Sequence, residues 1–241
     1  MRQLLAAGAL ALAIASPAAA GDFATYEALG FSPDGLKFAF EQFGVQDGSG
    51  FPYSEIFLVD LLSDRFVAPS PIRVRIDEDG ADLEDARREA RRSAASLLSE
   101  LEPPSTSRVL AANAPTKLNA DPYRMVFMPR AFEPSSDQPV ELRLVLTPVP
   151  ETPALCDGFG RTIAGFTLLQ IEAVSGGAIR ELHRDETVPE SRNWPYDYRL
   201  AEVRSHPASG RAVVIVAVKS IGFEGPDIRY IAVPLDLGTR S

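Results

Sequence analysis

The sequence is poor in the residues that most often carry metal or covalent chemistry. It contains one cysteine, Cys156, and two histidines, His183 and His206. A single cysteine excludes an internal disulfide framework, and the three residues lack the Cys and His spacing of a zinc site. No G-x-S-x-G nucleophile elbow and no G-x-G-x-x-G phosphate loop is present. We therefore predict no metal, no cofactor and no catalytic residue that a motif would mark.

Long apolar segments are absent after the first twenty residues. Residues 1–20 read MRQLLAAGALALAIASPAAA, with Arg2 before a short apolar run and small residues up to Ala20. This order of charge, apolar core and A-x-A site is typical of a secretory signal peptide. The run is shorter than the roughly 20 residues that span a bilayer. We predict cleavage near Ala20, no later membrane span, and a periplasmic or secreted mature chain.

Positive charge is also scarce. The chain has 24 basic and 33 acidic residues, for a net charge of −9, and loss of Arg2 with the signal peptide makes the balance −10. An acidic chain repels phosphate backbones unless its basic residues cluster. They are mostly scattered here. The composition therefore argues against nucleic acid as a partner.

The stretch GFSPDGLKFAF, residues 30–40, predicts a β-hairpin near the mature start. In its turn Pro33 pre-sets φ, and Gly35 accepts a positive φ. The following LKFAFEQF alternates, with Phe38 and Phe40 on one face and Glu41 on the other. The next strand, EIFLVDL, is apolar on both faces, which predicts a strand covered on both sides.

The C-terminal end has the same plan. Pro207 and Gly210 form a turn like that of FSPDG, and the apolar strand RAVVIVAV follows. Gly222-Phe223 then takes the place of Gly50-Phe51 before the next strand. We interpret the two stretches either as copies of one unit or as two similar β-meanders, because a period must recur to establish a repeat.

A helix is predicted between the two units, at about residues 82–101. Asp82 can cap it, apolar residues follow at helical spacing, and Pro103-Pro104 ends it. The arginine-rich run ARREARR, residues 86–92, is interpreted as a solvated helix face. A Pro-, Ser- and Asn-rich connection follows, so helix and loop form an insertion at about residues 79–135.

These elements predict a mainly β, antiparallel fold with one amphipathic helix. After the signal peptide, residues 1–20, we expect a single β-rich domain over residues 21–241. Short turns join most strands, and strands that are apolar on both faces must be stacked in layers. The alternatives are a layered sandwich and propeller-blade-like sheets. A full closed propeller is disfavoured, because three strand groups are fewer than the usual four to eight blades.

Two resemblances follow from these stretches. FSPDGLKFAF with SEIFLVDL, residues 31–61, resembles the TolB-type propeller repeat, which implies the inner strands of a blade. As a whole the chain resembles a bacterial family of predicted secreted proteins, domain of unknown function 2259. The signal peptide, the FSPDG hairpin, the segment CDGFGRTIAGFTL from Cys156 to Leu168 and the C-terminal meander carry this resemblance. It implies export and a bacterial source, and it brings no activity.

The candidate binding residues lie in NWPYDYR, which holds the only tryptophan. Trp194, Tyr196 and Tyr198 combine apolar rings with polar atoms, as interface residues often do. The alternative is that Trp194 closes the end of a sheet while the two tyrosines pack along a strand. Cys156, with no histidine or basic cluster nearby, is interpreted as a structural or incidental residue rather than a reactive thiol.

Two hypotheses for function remain. The first is an exported, non-catalytic envelope protein that binds another protein, a peptide or a cell-wall component. The second is a periplasmic hydrolase whose site is assembled only in the fold, and a histidine beside a carboxylate in a cleft would favour it. The missing metal and nucleophile motifs favour the first. The sequence does not indicate the ligand or the oligomeric state.

Overall fold

The structure, a computed structural model, describes residues 21–130, 137–149, 161–172 and 177–238. These residues contain thirteen strands and two helices, so the prediction of a mainly β fold is confirmed. The strands are β1 (Thr25–Phe31), β2 (Lys37–Val45), β3 (Pro52–Asp60), β4 (Arg65–Phe66), β5 (Ile72–Arg75), β6 (Arg108–Ala112), β7 (Arg124–Phe127), β8 (Val140–Pro148), β9 (Ala164–Glu172), β10 (Ile179–Arg184), β11 (Pro195–Ser205), β12 (Arg211–Ile221) and β13 (Pro226–Asp236). The helices are α1 (Leu83–Ser93) and α2 (Ala95–Leu98).

The strands form three antiparallel sheets. The first sheet has the order β1-β2-β3, with β4 and β5 both paired to β3, and the second has the order β10-β9-β8-β7. The third sheet has the order β13-β12-β11-β6. Each sheet is built largely from consecutive strands joined by turns, as the short connections in the sequence predict.

The third sheet lies between the other two. Every side chain of β12 from residue 212 to residue 218 is buried. Successive side chains of a strand point to opposite faces. Val214 therefore packs with Phe166 of the second sheet, and Val213 packs with Phe40 of the first. The apolar run RAVVIVAV is buried on both faces, and the layered arrangement is confirmed.

Helix α1 covers the outer face of the first sheet. Its N-terminus is capped by Asp82, whose Oδ1 accepts a hydrogen bond from the backbone N–H of Glu84 at 3.0 Å. Ala86 and Ala90 are fully buried, and Ala90 packs against Ile56 of β3. The helix predicted over about 82–101 is confirmed, with an irregular residue between α1 and α2. The helix thereby covers the outer face of β3, whose sequence EIFLVDL predicts a strand that is covered on both sides.

The turns of the two predicted units meet at one end of the stack. In the FSPDG turn, Asp34 Oδ1 accepts hydrogen bonds from Leu36 N and Ser32 Oγ, at 2.9 and 2.6 Å. Gly35 has a φ of +71°, and a Cβ built there would lie 2.2 Å from Ser209 Oγ of the β11–β12 turn. Both the left-handed backbone and this close approach require glycine. We call this end the Gly35 end.

The loops at the opposite end also meet. Glu224 N, in the β12–β13 loop, donates a hydrogen bond to Asp47 Oδ2 in the β2–β3 loop at 3.1 Å. A Cβ at Gly48 would lie 3.2 Å from the Phe223 ring. The equivalent loops of the two units therefore lie side by side, as their turns do. We call this end the Phe223 end.

The first described residues are fixed at the Phe223 end. Phe23 forms a parallel bridge with Ile228 of β13, and Ala24 N donates to Ile228 O at 3.1 Å. The buried Asp22 carboxylate accepts a hydrogen bond from Tyr53 Oη at 2.7 Å and pairs with Arg229. The predicted signal peptide, residues 1–20, lies outside the described residues.

Two strands occur in the predicted insertion, where the sequence predicts none. Strand β6 lies within the predicted loose connection and pairs with β11, where Ala111 is opposite Val203. Strand β7, RMVF, pairs with β8. Both are short edge strands, so their own sequences carry little signal, and the partner of β6 lies about ninety residues further along the chain. The insertion therefore contributes to two of the three sheets.

Candidate functional site

The aromatic segment lies at the Phe223 end, where β11 begins. Asn193 and Trp194 have φ values of +51° and +53°. A left-handed conformation is uncommon outside glycine, and for a bulky aromatic residue it is an outlier that costs about 1–2 kcal/mol. Trp194 is 37 % exposed, so burial does not force this geometry. Such strain is found preferentially at ligand-binding positions.

The strain at Trp194 gives a stability prediction. The Trp194→Gly variant should be more stable than Trp194→Ala by about 1 kcal/mol, because glycine adopts a positive φ without the steric cost of a Cβ. Urea unfolding of both variants measures the difference. At Val145, an exposed position within β8, the order should reverse, since glycine weakens strands. Equal stability of the two Trp194 variants would contradict the left-handed backbone.

Tyr196 is displaced from the regular ladder by a β-bulge. Pro195 is opposite Ser220 and Asp197 is opposite Lys219, which leaves Tyr196 as the extra residue. Bulges redirect a side chain and often lie next to functional sites. Arg161 Cζ lies 4.7 Å and Lys219 Nζ 5.6 Å from the centroid of the Tyr196 ring. Two cations therefore share one aromatic ring.

A surface depression of about 220 Å³ adjoins this ring. Arg161 and Tyr196 form one side, and residues 221–226 of the β12–β13 hairpin form the other. Phe223 is 77 % exposed at its edge. Asn193 Nδ2 donates to Ile221 O at 3.4 Å, so the turn that carries Trp194 borders the depression. We call this surface, formed by Arg161, Trp194, Tyr196, Lys219 and residues 221–226, the aromatic–cationic face.

Tyr198 does not belong to the aromatic–cationic face. It is 1 % exposed and packs between the second and third sheets. Its Oη donates to Ala164 O at 3.0 Å and accepts from Arg192 Nη1 at 3.2 Å. Burial raises the pKa of Tyr198 to about 12. Of the three predicted residues, the structure therefore places Trp194 and Tyr196 at one surface and Tyr198 in the core.

His183 lies beside a carboxylate, the arrangement that the hydrolase hypothesis requires. Its Nε2 is 2.9 Å from Asp185 Oδ1, and its ring stacks on Phe166 with centroids 4.6 Å apart. Asp185 Oδ2 accepts from Arg192 Nη1 at 2.5 Å and from Phe166 N at 2.9 Å. Burial would raise the pKa of Asp185, but the hydrogen bonds from His183 and Arg192 outweigh it and lower the pKa to about 2.

The surroundings of both histidines are structural. Among the described residues, no serine, threonine or cysteine side chain forms a hydrogen bond with His183. His206 is buried at the Gly35 end, where its Nδ1 accepts a hydrogen bond from Ser209 N at 3.0 Å and braces the β11–β12 turn. No group of three His, Cys, Asp or Glu residues within the described ranges could hold a metal ion. Cys156 lies outside these ranges.

A second charged cluster lies beneath helix α1. The Glu41 carboxylate is fully buried. It accepts hydrogen bonds from Ser54 Oγ at 2.9 Å, Arg87 Nε at 3.1 Å and Arg91 Nη2 at 2.6 Å. Glu27 accepts from both arginines, at 2.6 and 2.8 Å. Burial would raise the pKa of Glu41, but the bonds from Arg87 and Arg91 hold it below its usual value.

The interpretation of ARREARR as a solvated face is therefore only partly right. Arg87 and Arg91 point to the sheet, whereas Arg88 pairs with Asp85 at the surface. The i,i+4 spacing puts Arg87 and Arg91 one position after the buried Ala86 and Ala90, which places them beside the buried stripe. The sequence does not show that Glu41 of β2 faces these two arginines, because β2 and α1 come together only in the folded protein.

Sequence reasoning also missed Arg161, Lys219 and Phe223. No motif surrounds any of these residues, and they come from separate segments of the chain. The Gly-Phe pair that the two β-units share does predict a loop at Phe223, but it does not show that the Phe223 side chain is exposed. Separately, no helix in the described part of the chain is long and apolar enough to cross a membrane.

Comparison with known proteins gives the family of this chain. A family model described as "Predicted secreted protein (DUF2259)" matches residues 39–236. The match covers most of the chain, which therefore belongs to this family. No curated protein and no solved structure matches it significantly. Membership supports export, and the family description names no ligand or reaction.

Proposed function

We propose that this member of the family of predicted secreted proteins is a non-catalytic binding module of the cell envelope. Its ligand face is the aromatic–cationic face, and its partner is an envelope protein, a peptide or a cell-wall component. We further propose that the signal peptide is removed near Ala20 and that the mature chain works in the periplasm or outside the cell. The layered sheets then serve as a rigid support for loops at one end.

One observation carries this proposal: the exposed Phe223 lines a depression together with Tyr196, and the exposed Trp194 lies two residues before Tyr196 on a locally strained backbone. Phe223 is 77 % exposed and Trp194 is 37 % exposed. Exposed aromatic residues with apolar bodies are enriched in binding surfaces. The left-handed Trp194 and the bulge at Tyr196 both cost stability without serving the core. Costly local geometry at an exposed aromatic surface favours a role in ligand binding.

The hydrolase alternative rests on the contact between His183 and Asp185. A general base must reach the proton that it removes. Here the carboxylate is already shared by three donors, and the His183 ring is stacked on Phe166. These contacts tie β9, β10 and the β10–β11 loop together, which supports a structural role. We therefore place the function at the aromatic–cationic face.

A capture experiment from envelope extract tests the proposal. The exported protein should retain a partner that the Trp194→Ala/Tyr196→Ala double variant loses. Leu118→Ala is the matched control, because Leu118 is a fully exposed apolar residue in the β6–β7 connection, and it should retain the partner. Circular dichroism establishes that each variant is folded. Equal retention by the double variant would remove the aromatic–cationic face as the binding site, and chemical change of a retained ligand would favour the hydrolase.

A further inference from the structure

We infer that the aromatic–cationic face takes the free carboxyl terminus of a peptide whose last side chain is apolar. This inference rests on the proposed function and names its ligand class. It is drawn from the charges, the apolar walls and the size of the depression. Each of these features restricts the ligand in a different way.

The charges of the face favour an anion, because Arg161 and Lys219 outnumber Glu224, the one acidic residue of the face. Among the described residues, neither Arg161 nor Lys219 forms an ion pair with an acidic side chain, although the chain carries nine more acidic than basic residues. Most other arginines near the sheets are paired, for example Arg192 with Asp185 and Arg229 with Asp22. Guanidinium and ammonium groups are the usual partners of a carboxylate. Arg161 and Lys219, which both lie near the Tyr196 ring, are therefore available to pair with a carboxylate.

The apolar walls select an uncharged side chain next to that carboxylate. Ile221, Phe223 and Pro226 line the depression with the Tyr196 ring. Covering apolar surface contributes about 25 cal/mol per Å², and the exposed Phe223 ring offers such surface. The depression of about 220 Å³ has room for one side chain and a terminal carboxylate. A longer peptide would extend from it into solvent.

The β12–β13 loop adds backbone donors. Gly222 N donates to Gly225 O at 3.0 Å and Glu224 N donates to Asp47 Oδ2. Within the described ranges, the N–H groups of Phe223 and Gly225 have no acceptor. Turns with free N–H groups are a recurring device for capture of a terminal carboxylate. The same loop therefore supplies an apolar wall and two unused donors.

An acidic sugar fits this lining less well. A sugar ring carries several hydroxyl groups, and each needs a hydrogen-bonding partner when it is covered. The polar side chains that line the depression are Arg161, Tyr196 and Glu224. The walls are otherwise apolar or glycine. The lining therefore favours a peptide terminus over a sugar acid.

Titration with small probes tests the ligand class. Trp194 is the only tryptophan, so its fluorescence reports on this face without labelling. The probes are N-acetyl-Ala-Ala-Leu with a free carboxylate, the same peptide as its carboxamide, and glucuronic acid. We expect the free acid to change the fluorescence of the exported protein and to bind with a Kd at least tenfold lower than the amide. Glucuronic acid should bind no better than the amide.

Charge variants link this preference to the two cations. Lys219→Met and Arg161→Gln should each raise the Kd of the peptide acid at least tenfold. In both variants the acid should then bind no more tightly than the amide. Lys117→Met is the matched control, because Lys117 is exposed and forms no ion pair in the described part of the chain, and it should behave as the wild type. Binding by isothermal calorimetry provides a second readout for each variant.

Three outcomes would overturn the inference: equal affinity for acid and amide, tighter binding of glucuronic acid, or no response to the free acid at millimolar concentration. The capture experiment keeps these failures distinct from failure of the proposed function. If capture depends on Trp194 and Tyr196 while the peptide acid does not bind, the binding face stands and the ligand class is wrong. If capture is also insensitive to these residues, both are wrong.

Discussion

Replacement of Glu41 with glutamine should lower the free energy of unfolding by about 3 kcal/mol. The side chain is fully buried between α1 and the first sheet, where Arg87 and Arg91 both donate to it. Loss of one partner of a buried ion pair costs about 3–5 kcal/mol, and the lower end applies here because both arginines keep Glu27 as a partner. Glutamine keeps the size but not the charge, so the loss reports the electrostatic contact. Urea unfolding at pH 7 measures it.

Glu27→Gln is the matched control for this prediction. Glu27 contacts the same two arginines, but its side chain is 44 % exposed, and exposed pairs contribute at most about 1 kcal/mol. The pKa of Glu41 is lowered, so its contribution is present above the unfolded value near 4.5 and is lost as the pH falls below it. Glu41→Gln should flatten this dependence. A loss no larger than that of Glu27→Gln would show that α1 docks without Glu41.

Replacement of Asp185 with asparagine should cost about 2–3 kcal/mol at pH 7. Burial opposes ionisation, but the hydrogen bonds and the Arg192 charge prevail and lower the pKa of Asp185 from 3.8 to about 2. A tenfold change in a proton-binding constant corresponds to about 1.4 kcal/mol. Asparagine keeps the shape but leaves the buried Arg192 without its anion. The contacts of Asp185 tie β9, β10 and the β10–β11 loop together, so the variant should also unfold with a lower midpoint in urea.

The pH dependence of unfolding distinguishes this effect from a packing defect. Because the native pKa of Asp185 is lowered, its contribution is complete above about pH 4 and is lost as the pH falls towards 2. Over this window the wild type should lose about 2 kcal/mol more than Asp185→Asn does. Glu181→Gln, in an exposed and solvent-screened pair with Arg184, is the control and should change the curve much less. Identical curves for wild type and Asp185→Asn would contradict the assignment.

The parts of the fold that the sequence predicts correctly are those with a local signal. The FSPDG turn is determined by Pro33 and Gly35, and the buried strand β12 by its continuous apolar run. The helix follows from the Asp82 cap and alanines at helical spacing. Strands β6 and β7 have no such signal, because both are short edge strands, and β6 also pairs with a strand far along the chain. The order of the layers is likewise a property of contacts between distant side chains.

The same distinction applies to the site. Trp194 and Tyr196 are noticed from composition, because a lone tryptophan beside tyrosines is unusual in any segment. The bulge at Tyr196 depends on the register with β12, which no property of NWPYDYR determines. Arg161 and Lys219 become informative only when the fold brings them over one ring. Tyr196 and Tyr198 are two residues apart, so a regular strand would put both on one face, and only the bulge at Tyr196 separates them.

The pairing of residues 22–24 with β13 also determines which end of the chain lies next to the proposed ligand face. Gly21 lies at the Phe223 end, where a Cβ on it would be 2.7 Å from Pro226 O, in the wall of the depression. The far end of β13 reaches the Gly35 end, where Leu237 N donates to Gly210 O at 2.9 Å. A tag joined directly before Gly21 would therefore start beside the proposed ligand face. Immobilisation through the chain beyond Gly238 leaves that face open to solvent.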